Sequence, residues 1–164
     1  MKLIVSDASP LIILARSDLI PVLTSIVEEV IVPETVYAEC TADITLPGAR
    51  AVRSAVEAGR LHVRVDVGPE SGSGSELAGL DAGELAAIHI AAALQCPVLM
   101  DERLGRQAAR RKGLTVIGSA GLLLAAKQRG LIPAVAPILD QWREAGYFLS
   151  ASVIQALLER AGET

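Results

Sequence analysis

The sequence predicts an α/β fold of three layers, in which helices cover both faces of a central, mainly parallel sheet of about five strands. Short apolar runs alternate along the chain with longer segments of helical periodicity, and this alternation requires crossover connections between parallel strands. The apolar runs are uninterrupted and rich in Val, Ile and Leu, which is typical of strands buried on both faces. A length of 164 residues with 51% apolar residues indicates one folded domain.

Five apolar runs are predicted as strands. The third alternates apolar and polar residues, as a strand nearer the edge of a sheet does. In chain order they are Leu3–Val5, Val30–Val32, Leu61–Val67, Pro97–Met100 and Leu114–Ile117.

Helices are predicted between the strands and over the last third of the chain. Pro33 is suited to the first turn of a helix, and Gly59 and Gly113 lie where helices stop. The predicted helices are Pro10–Arg16, Pro33–Cys40, Pro47–Ala58, Ala82–Gln95, Arg103–Lys112, Ser119–Arg129, Ile138–Glu144 and Ser152–Arg160.

Composition indicates the cellular compartment that is expected for the chain. No apolar run approaches the roughly 18 residues of a membrane helix, so neither a membrane span nor a signal peptide is expected. Cys40 and Cys96 have no CxxC partner and are predicted to be small core residues in a reducing, cytoplasmic setting. The tract Gly68–Ser75 is rich in Gly and Ser and is predicted as a surface loop.

Acidic residues follow the predicted strands closely. Asp7 and Asp101 come directly after the first and fourth strands, Glu39 lies in the helix after the second, and Asp81 and Glu84 open the helix that leads into the fourth. Carboxyl ends of parallel strands meet at one edge of a sheet, where ligands bind by default. The apolar residues that continue the helix face of Glu84 predict that its side chain points inward.

Converging carboxylates repel one another and raise each other's pKa, which a divalent cation relieves. Oxygen ligands without histidine or thiolate favour Mg²⁺ or Mn²⁺ over Zn²⁺. Such a site generates a nucleophile from water and neutralises charge on a phosphate, so the chemistry implied is phosphodiester hydrolysis. The alternative is helix capping: Asp81 and Glu84 have the spacing of a capping box, and Asp7 has the position of an N-cap.

A basic stripe follows the last of these acids. Arg103, Arg106 and Arg110 share one face of a predicted helix that begins beside Asp101. They are placed to bind a phosphate backbone, although arginines near a helix C-terminus are also common on an ordinary solvated face. With 2% aromatic residues, a platform for stacking single-stranded bases is not expected.

The order and spacing of these acids resemble those of the PIN domain, the metal-dependent nuclease fold of VapC-type toxins. The segment Leu3–Ile12 is similar to the opening of that domain, Val32–Glu39 to its second acidic position, and Glu84–Asp101 to its third and fourth. The tail from Gly146 to Leu158 resembles a mostly uncharacterised prokaryotic PIN-like branch.

The resemblance implies a Mg²⁺ or Mn²⁺ site in which Asp7, Glu39, Glu84 and Asp101 are both metal ligands and catalytic residues. Ser9 matches a position whose hydroxyl supports the first acid or a metal-bound water. Asp81 adds a supporting carboxylate, and the third acid is glutamate where the toxins usually carry aspartate.

The function expected on this basis is a metal-dependent endoribonuclease, with the toxin of a toxin–antitoxin pair as one role. Its expected partners are RNA, an antitoxin protein and a second copy of the chain. Residues 1–130 form the expected nuclease domain, and residues 131–164 a helical extension packed on it or at a dimer interface. One alternative is a non-catalytic PIN-like module that binds protein or RNA. A phosphatase with Asp7 as nucleophile is weaker, because Ser9 stands where such enzymes carry a second aspartate.

The net charge of −4 does not argue against a nucleic-acid substrate. Five of the 19 acidic residues are assigned to a single crevice, and the rest of the chain then carries a net charge of +1. The acidic balance is therefore largely a property of one site.

Overall fold

A sheet of five parallel strands organises the fold, and the predicted fold class is confirmed. The computed structural model describes residues 1–68 and 77–164. The strands are β1 (Leu3–Ser6), β2 (Glu29–Pro33), β3 (His62–Arg64), β4 (Val98–Leu99) and β5 (Val116–Ile117). Their order is β3-β2-β1-β4-β5, and each neighbouring pair is parallel. The strand order therefore reverses between β1 and β4, which is the position where open α/β sheets bind ligands.

Nine helices lie in the described residues, and they connect the strands or follow the last one. In chain order they are α1 (Ala8–Arg16), α2 (Ile20–Ile26), α3 (Glu34–Cys40), α4 (Pro47–Glu57), α5 (Ala82–Leu94), α6 (Arg103–Arg111), α7 (Ser119–Gln128), α8 (Ala136–Glu144) and α9 (Ala151–Arg160).

Successive residues of the strands face two separate hydrophobic cores. Ile4 and Val30 point into the larger core, which α1, α2, α3, α4 and α7 to α9 complete. Val5 and Ile31 point into the smaller one, beneath α5 and α6. This alternation follows from the two-residue period of a strand, and it produces the three layers.

The predicted elements are present with shifted ends, and three features differ from the prediction. The strand predicted over Leu61–Val67 is reduced to β3, which lies at the edge of the described sheet and pairs with β2; Val63 within it and Val65 just after it are exposed. Helix α2 was not predicted, although its three buried apolar residues recur every third position. Pro33 ends β2 and precedes α3 instead of lying in its first turn.

The structure can be compared with the predictions for the two cysteines, the Gly- and Ser-rich tract and membrane-spanning helices. Cys40 and Cys96 are both buried free thiols, as predicted. Gly68 is described, but the rest of the predicted loop Gly68–Ser75 lies outside the described residues. Among the described residues no single helix is long and apolar enough to cross a membrane; α1 and α2 reach that length only together, and they meet at 118°.

The C-terminal helices pack on the same core as α1. Trp142 of α8 is 1% exposed, and Leu157 of α9 is also buried. The Trp142 indole donates a hydrogen bond to Ser17 Oγ, just beyond α1, at 3.1 Å. A domain boundary at residue 130 stays a prediction.

Glu163, which follows α9, forms hydrogen bonds with the start of α8. Its carboxylate accepts hydrogen bonds from Lys127 Nζ at 2.8 Å and from the amides of Val135 at 2.8 Å and Ala136 at 3.0 Å. The hydrogen bond from Lys127, followed by those from the two amides, lowers the pKa of Glu163 to about 2. Because the pKa in the folded state lies below the ordinary 4.5, the stabilisation is present above pH 4.5 and is lost as the pH falls through about 2.

We expect Glu163→Gln to lower the Tm at neutral pH, and the difference from wild type to shrink as the pH falls from 4.5 to about 2. The glutamine is always neutral, whereas the native glutamate loses its charge only over that range. Circular dichroism melts across the pH range test this. Glu159→Gln, at an exposed site on α9 whose carboxylate accepts a hydrogen bond from Gln155 at 3.1 Å, is the control. A Tm difference that persists unchanged at low pH would contradict the assignment.

Candidate active site

Asp7 lies at the carboxyl end of β1, next to the end of β4. Its backbone N–H donates to the Leu99 carbonyl at 2.9 Å, and its side chain is 3% exposed. Asp7 occupies the N-cap position of α1, but its carboxylate makes no capping hydrogen bond there. The predicted capping hydrogen bond is therefore absent at this residue, and its buried carboxylate, which the Ala8 amide stabilises in part, lies at the strand switch.

A glycine in the first turn of α5 brings two acids together. A Cβ atom at Gly83 would lie 3.3 Å from Glu39 Oε2 and 3.4 Å from Asp7 Oδ1. A side chain at this position would crowd the two carboxylates, which would have to move by a few tenths of an ångström. Gly83 therefore lets α5 lie close to the acids of β1 and α3.

Asp81 and Glu84 form the capping box that their spacing predicts. The Glu84 amide donates to Asp81 Oδ1 at 2.8 Å, and the Asp81 amide donates to Glu84 Oε1 at 3.2 Å. The capping box engages Oε1 of the Glu84 carboxylate and does not engage Oε2. Oε2 is buried, and no donor in residues 1–68 or 77–164 reaches it. Instead it lies against Gly105 of α6, where a Cβ atom would contact both this oxygen and Met100 Sδ.

Burial and mutual repulsion make these carboxylates weak acids. Burial raises the pKa of Asp7 to about 7; a hydrogen bond from the Ala8 amide offsets part of this rise, and the charges of Asp81, Glu84 and Glu39 add to it. Burial likewise raises the pKa of Glu84 to about 7, with contributions from Asp81 and Glu102. The pKa of Glu39 is also raised, first by burial and then by Asp81. A buried acid that lacks a counter-charge behaves in this way.

Asp101, at the end of β4, has hydrogen-bond partners of its own. The Ser119 amide donates to Asp101 Oδ1 at 2.8 Å, and the Tyr147 hydroxyl donates to Oδ2. Burial and the charge of Asp101 raise the pKa of Tyr147, so the phenol stays protonated and acts as the donor. Close by, Arg106 Nη1 donates to the Met100 carbonyl at 2.8 Å.

The structure thus brings Asp7, Glu39, Asp81 and Glu84 together, whereas Asp101 is held by Ser119 and Tyr147. Within residues 1–68 and 77–164, no group of three or more His, Cys, Asp and Glu side chains has the geometry to hold a metal ion. The four-acid metal site stays a prediction.

A large cleft of about 1170 Å³ opens beside Asp101. The partly exposed Ser9 lines it, as do the three arginines that were predicted to share one helix face, Arg103, Arg106 and Arg110. Tyr147 and the exposed Phe148 also line the cleft. The cleft therefore joins one of the predicted acids to the basic stripe.

Comparison with known proteins agrees with this architecture. The sequence profile of a family described as a PIN domain matches residues 3–163. The chain belongs to the PIN domain family. A solved structure, a domain of a functionally unknown protein from Methanocaldococcus jannaschii DSM 2661, is 15% identical over 72% of this chain and 91% of that chain, with a TM-score of 0.48. No curated protein matches the chain significantly.

PIN domains are commonly nucleases and typically use divalent metal ions, and the acids of this PIN domain fit such an ion chemically. The buried Glu84 Oε2 lacks a donor among the described residues, and the charges of Glu84 and Glu39 both act on Asp7. These three groups offer only carboxylate oxygens, which are the donors that Mg²⁺ and Mn²⁺ prefer. A cation would offset the repulsion that raises their pKa values.

Several residues that contact or crowd the acids of this PIN-domain site were not identified from the sequence. Tyr147 reaches Asp101 from a position 46 residues later in the chain, and no local pattern indicates that contact. Gly83 and Gly105 carried a signal, since a glycine inside a helical pattern often marks a close approach. The charge of Glu102 raises the pKa of Glu84. This residue could have been recognised in the sequence as a sixth acid, next to Asp101.

Proposed function

We propose that this PIN domain is a Mg²⁺- or Mn²⁺-dependent endoribonuclease. The observation that carries the proposal is the unsatisfied, buried Glu84 Oε2 in a cluster with Asp7 and Glu39, at the edge of the sheet where the strand order reverses. Folded proteins rarely bury a carboxylate oxygen without a donor or a cation, because leaving it unsatisfied costs about 1–3 kcal/mol, and more when the group is charged.

The proposed reaction is hydrolysis of a phosphodiester: the oxygen of a water bonds to phosphorus, one ester P–O bond breaks, and the leaving oxygen takes up a proton. Asp7, Glu39, Glu84 and Asp101 would hold the divalent ion. When bound, that ion supplies activation of water and neutralisation of the charge that develops on the phosphate.

Three arginines and Ser9 in the cleft bind and orient the substrate. Arg103, Arg106 and Arg110 line the cleft that Asp101 enters, so their positive charge attracts a phosphate backbone towards the acids. Ser9 lines the same cleft two residues after Asp7, where its hydroxyl can donate to the first acid or to a water. The resemblance to VapC-type toxins supports RNA as the substrate. An antitoxin partner and a homodimer stay predictions from that resemblance.

We expect purified protein to cleave single-stranded RNA in Mn²⁺ and not in EDTA, and Asp101→Asn to reduce cleavage by at least about 100-fold, the loss typical of removing one preorganised electrostatic group. Gel analysis of end-labelled RNA, with DNA of the same sequence in parallel, tests this. Asp140→Asn, purified identically, is the control, because Asp140 is an exposed residue of α8 that pairs with Arg143.

Equal cleavage by wild type and Asp101→Asn would identify a contaminating nuclease and contradict the proposal. Mn²⁺ that binds only the folded protein must also raise its Tm. No cleavage together with no rise in Tm at millimolar Mn²⁺ would instead favour the non-catalytic module that binds protein or RNA.

A further inference from the structure

We propose that Tyr147, from the loop after α8, is a positioning residue for this nuclease site: its hydroxyl and the Ser119 amide together hold the Asp101 carboxylate in the orientation that receives the metal ion. The inference rests on the proposed function. It assigns a role in the site to the C-terminal helical region.

The two hydrogen bonds define the orientation of Asp101. The Ser119 amide donates to Oδ1 at 2.8 Å, and the Tyr147 hydroxyl donates to Oδ2. Asp101 is partly exposed and lies at the cleft, so packing alone does not hold its side chain. Two donors, one on each oxygen, prevent rotation of the carboxylate. Each oxygen keeps a second lone pair for another ligand, as expected of a metal-binding carboxylate whose hydrogen bonds orient it.

Tyr147 is itself held firmly enough to orient another group. Its backbone amide donates to the Trp142 carbonyl at 2.9 Å, and its ring meets the Trp142 ring edge-on, with centroids 5.7 Å apart. Gly146, with φ of 85°, permits the tight turn between them. Trp142 is buried and donates to Ser17 at the end of α1. The tyrosine is thus fixed to the helix that begins directly after Asp7.

The hydroxyl and the ring have separable roles. The ring packs on Trp142 and on the core, where it contributes to stability. The hydroxyl donates to a carboxylate at the cleft, a contact that contributes little to the packing. Tyr147→Phe therefore removes the positioning contact and keeps the packing contact.

We expect Tyr147→Phe to raise the Kd for Mn²⁺ about 10- to 100-fold, the effect typical of losing a hydrogen bond to a ligand side chain. The Tm of the metal-free protein should change little. The concentration of Mn²⁺ that gives half-maximal RNA cleavage should rise by the same factor, while kcat at saturating Mn²⁺ stays near the wild-type value. Titration of the Mn²⁺ electron paramagnetic resonance signal measures the Kd without any turnover. Tyr37→Phe, at the chain's other tyrosine, which packs against the core from α3, is the matched control.

A double-mutant cycle distinguishes positioning from general structural damage. If Tyr147 acts through Asp101, then Tyr147→Phe should not weaken Mn²⁺ binding further in an Asp101→Asn background. Unchanged or tighter Mn²⁺ binding by Tyr147→Phe, or equal losses in both backgrounds, would overturn the inference and leave the proposed function intact. Absence of Mn²⁺ binding by the wild-type protein would overturn both.

Discussion

Replacing Asp7 by asparagine is expected to raise the stability of the metal-free protein above pH 7 and, at the same time, to reduce RNA cleavage by at least about 100-fold. The two effects have opposite signs because the carboxylate that would bind the ion is costly to bury without one. A variant that gains stability and loses activity is the pattern expected of a functional residue that the fold tolerates at a cost.

The direction of the pH effect follows from the pKa of Asp7. Burial raises this pKa from 3.8 to about 7, so between pH 4 and 7 the folded protein binds a proton that the unfolded chain has lost. Stability therefore falls as the pH rises through this range, and above pH 7 the whole penalty is present. A shift of about three pKa units corresponds to an upper limit on the order of 4 kcal/mol. Asparagine, which has no charge, avoids this penalty.

Thermal melts of both proteins at pH 4 and pH 8, without and with Mn²⁺, measure these effects. At pH 8 without metal, the Tm of Asp7→Asn should exceed that of wild type, and at pH 4 the two should converge. Mn²⁺ should raise the Tm of wild type more than that of the variant. Asp140→Asn, at an exposed site, should show neither effect. A variant less stable than wild type at pH 8 would show that Asp7 has a structural role instead.

Replacing Trp142 by alanine should have the largest effect on stability, a loss of about 3–5 kcal/mol in the free energy of unfolding. Trp142 is the largest of the fully buried side chains and is 1% exposed. The substitution leaves a cavity between α8 and α1 and removes the hydrogen bond to Ser17. It also removes the ring that supports Tyr147, so Mn²⁺ binding should weaken as it does in Tyr147→Phe.

Urea denaturation followed by circular dichroism tests this and shows whether residues 131–164 unfold with the rest of the chain. We expect one cooperative transition, shifted to a lower urea concentration. Trp142→Phe, which keeps an aromatic ring against Tyr147, should lose clearly less stability and serves as the control. Two separate transitions, the major one unchanged, would show that α8 and α9 form an independent unit and would contradict the prediction.

The elements that sequence reasoning recovered have a strong local signal. The uninterrupted apolar runs at β1, β2 and β4 indicate buried parallel strands, and the capping box of Asp81 and Glu84 was readable from a spacing of three residues. Helix α2 was missed because its seven residues make only about two turns, which is too short for a helical period to stand out. The edge strand β3 was predicted too long, because an alternating pattern does not reveal how far a neighbour extends.

The sequence by itself determined the fold class and the edge of the sheet where the acids lie, because periodicity and position after a strand are properties of short segments. Only the tertiary structure decided which side chains meet there. It left Glu84 Oε2 buried without a donor among the described residues and placed Tyr147 on Asp101. Such contacts depend on how closely packed helices approach, as at Gly83, and on side chains far apart in the chain. Distance and burial set the pKa of a carboxylate, so the chemistry of this edge emerges only once the layers are packed together.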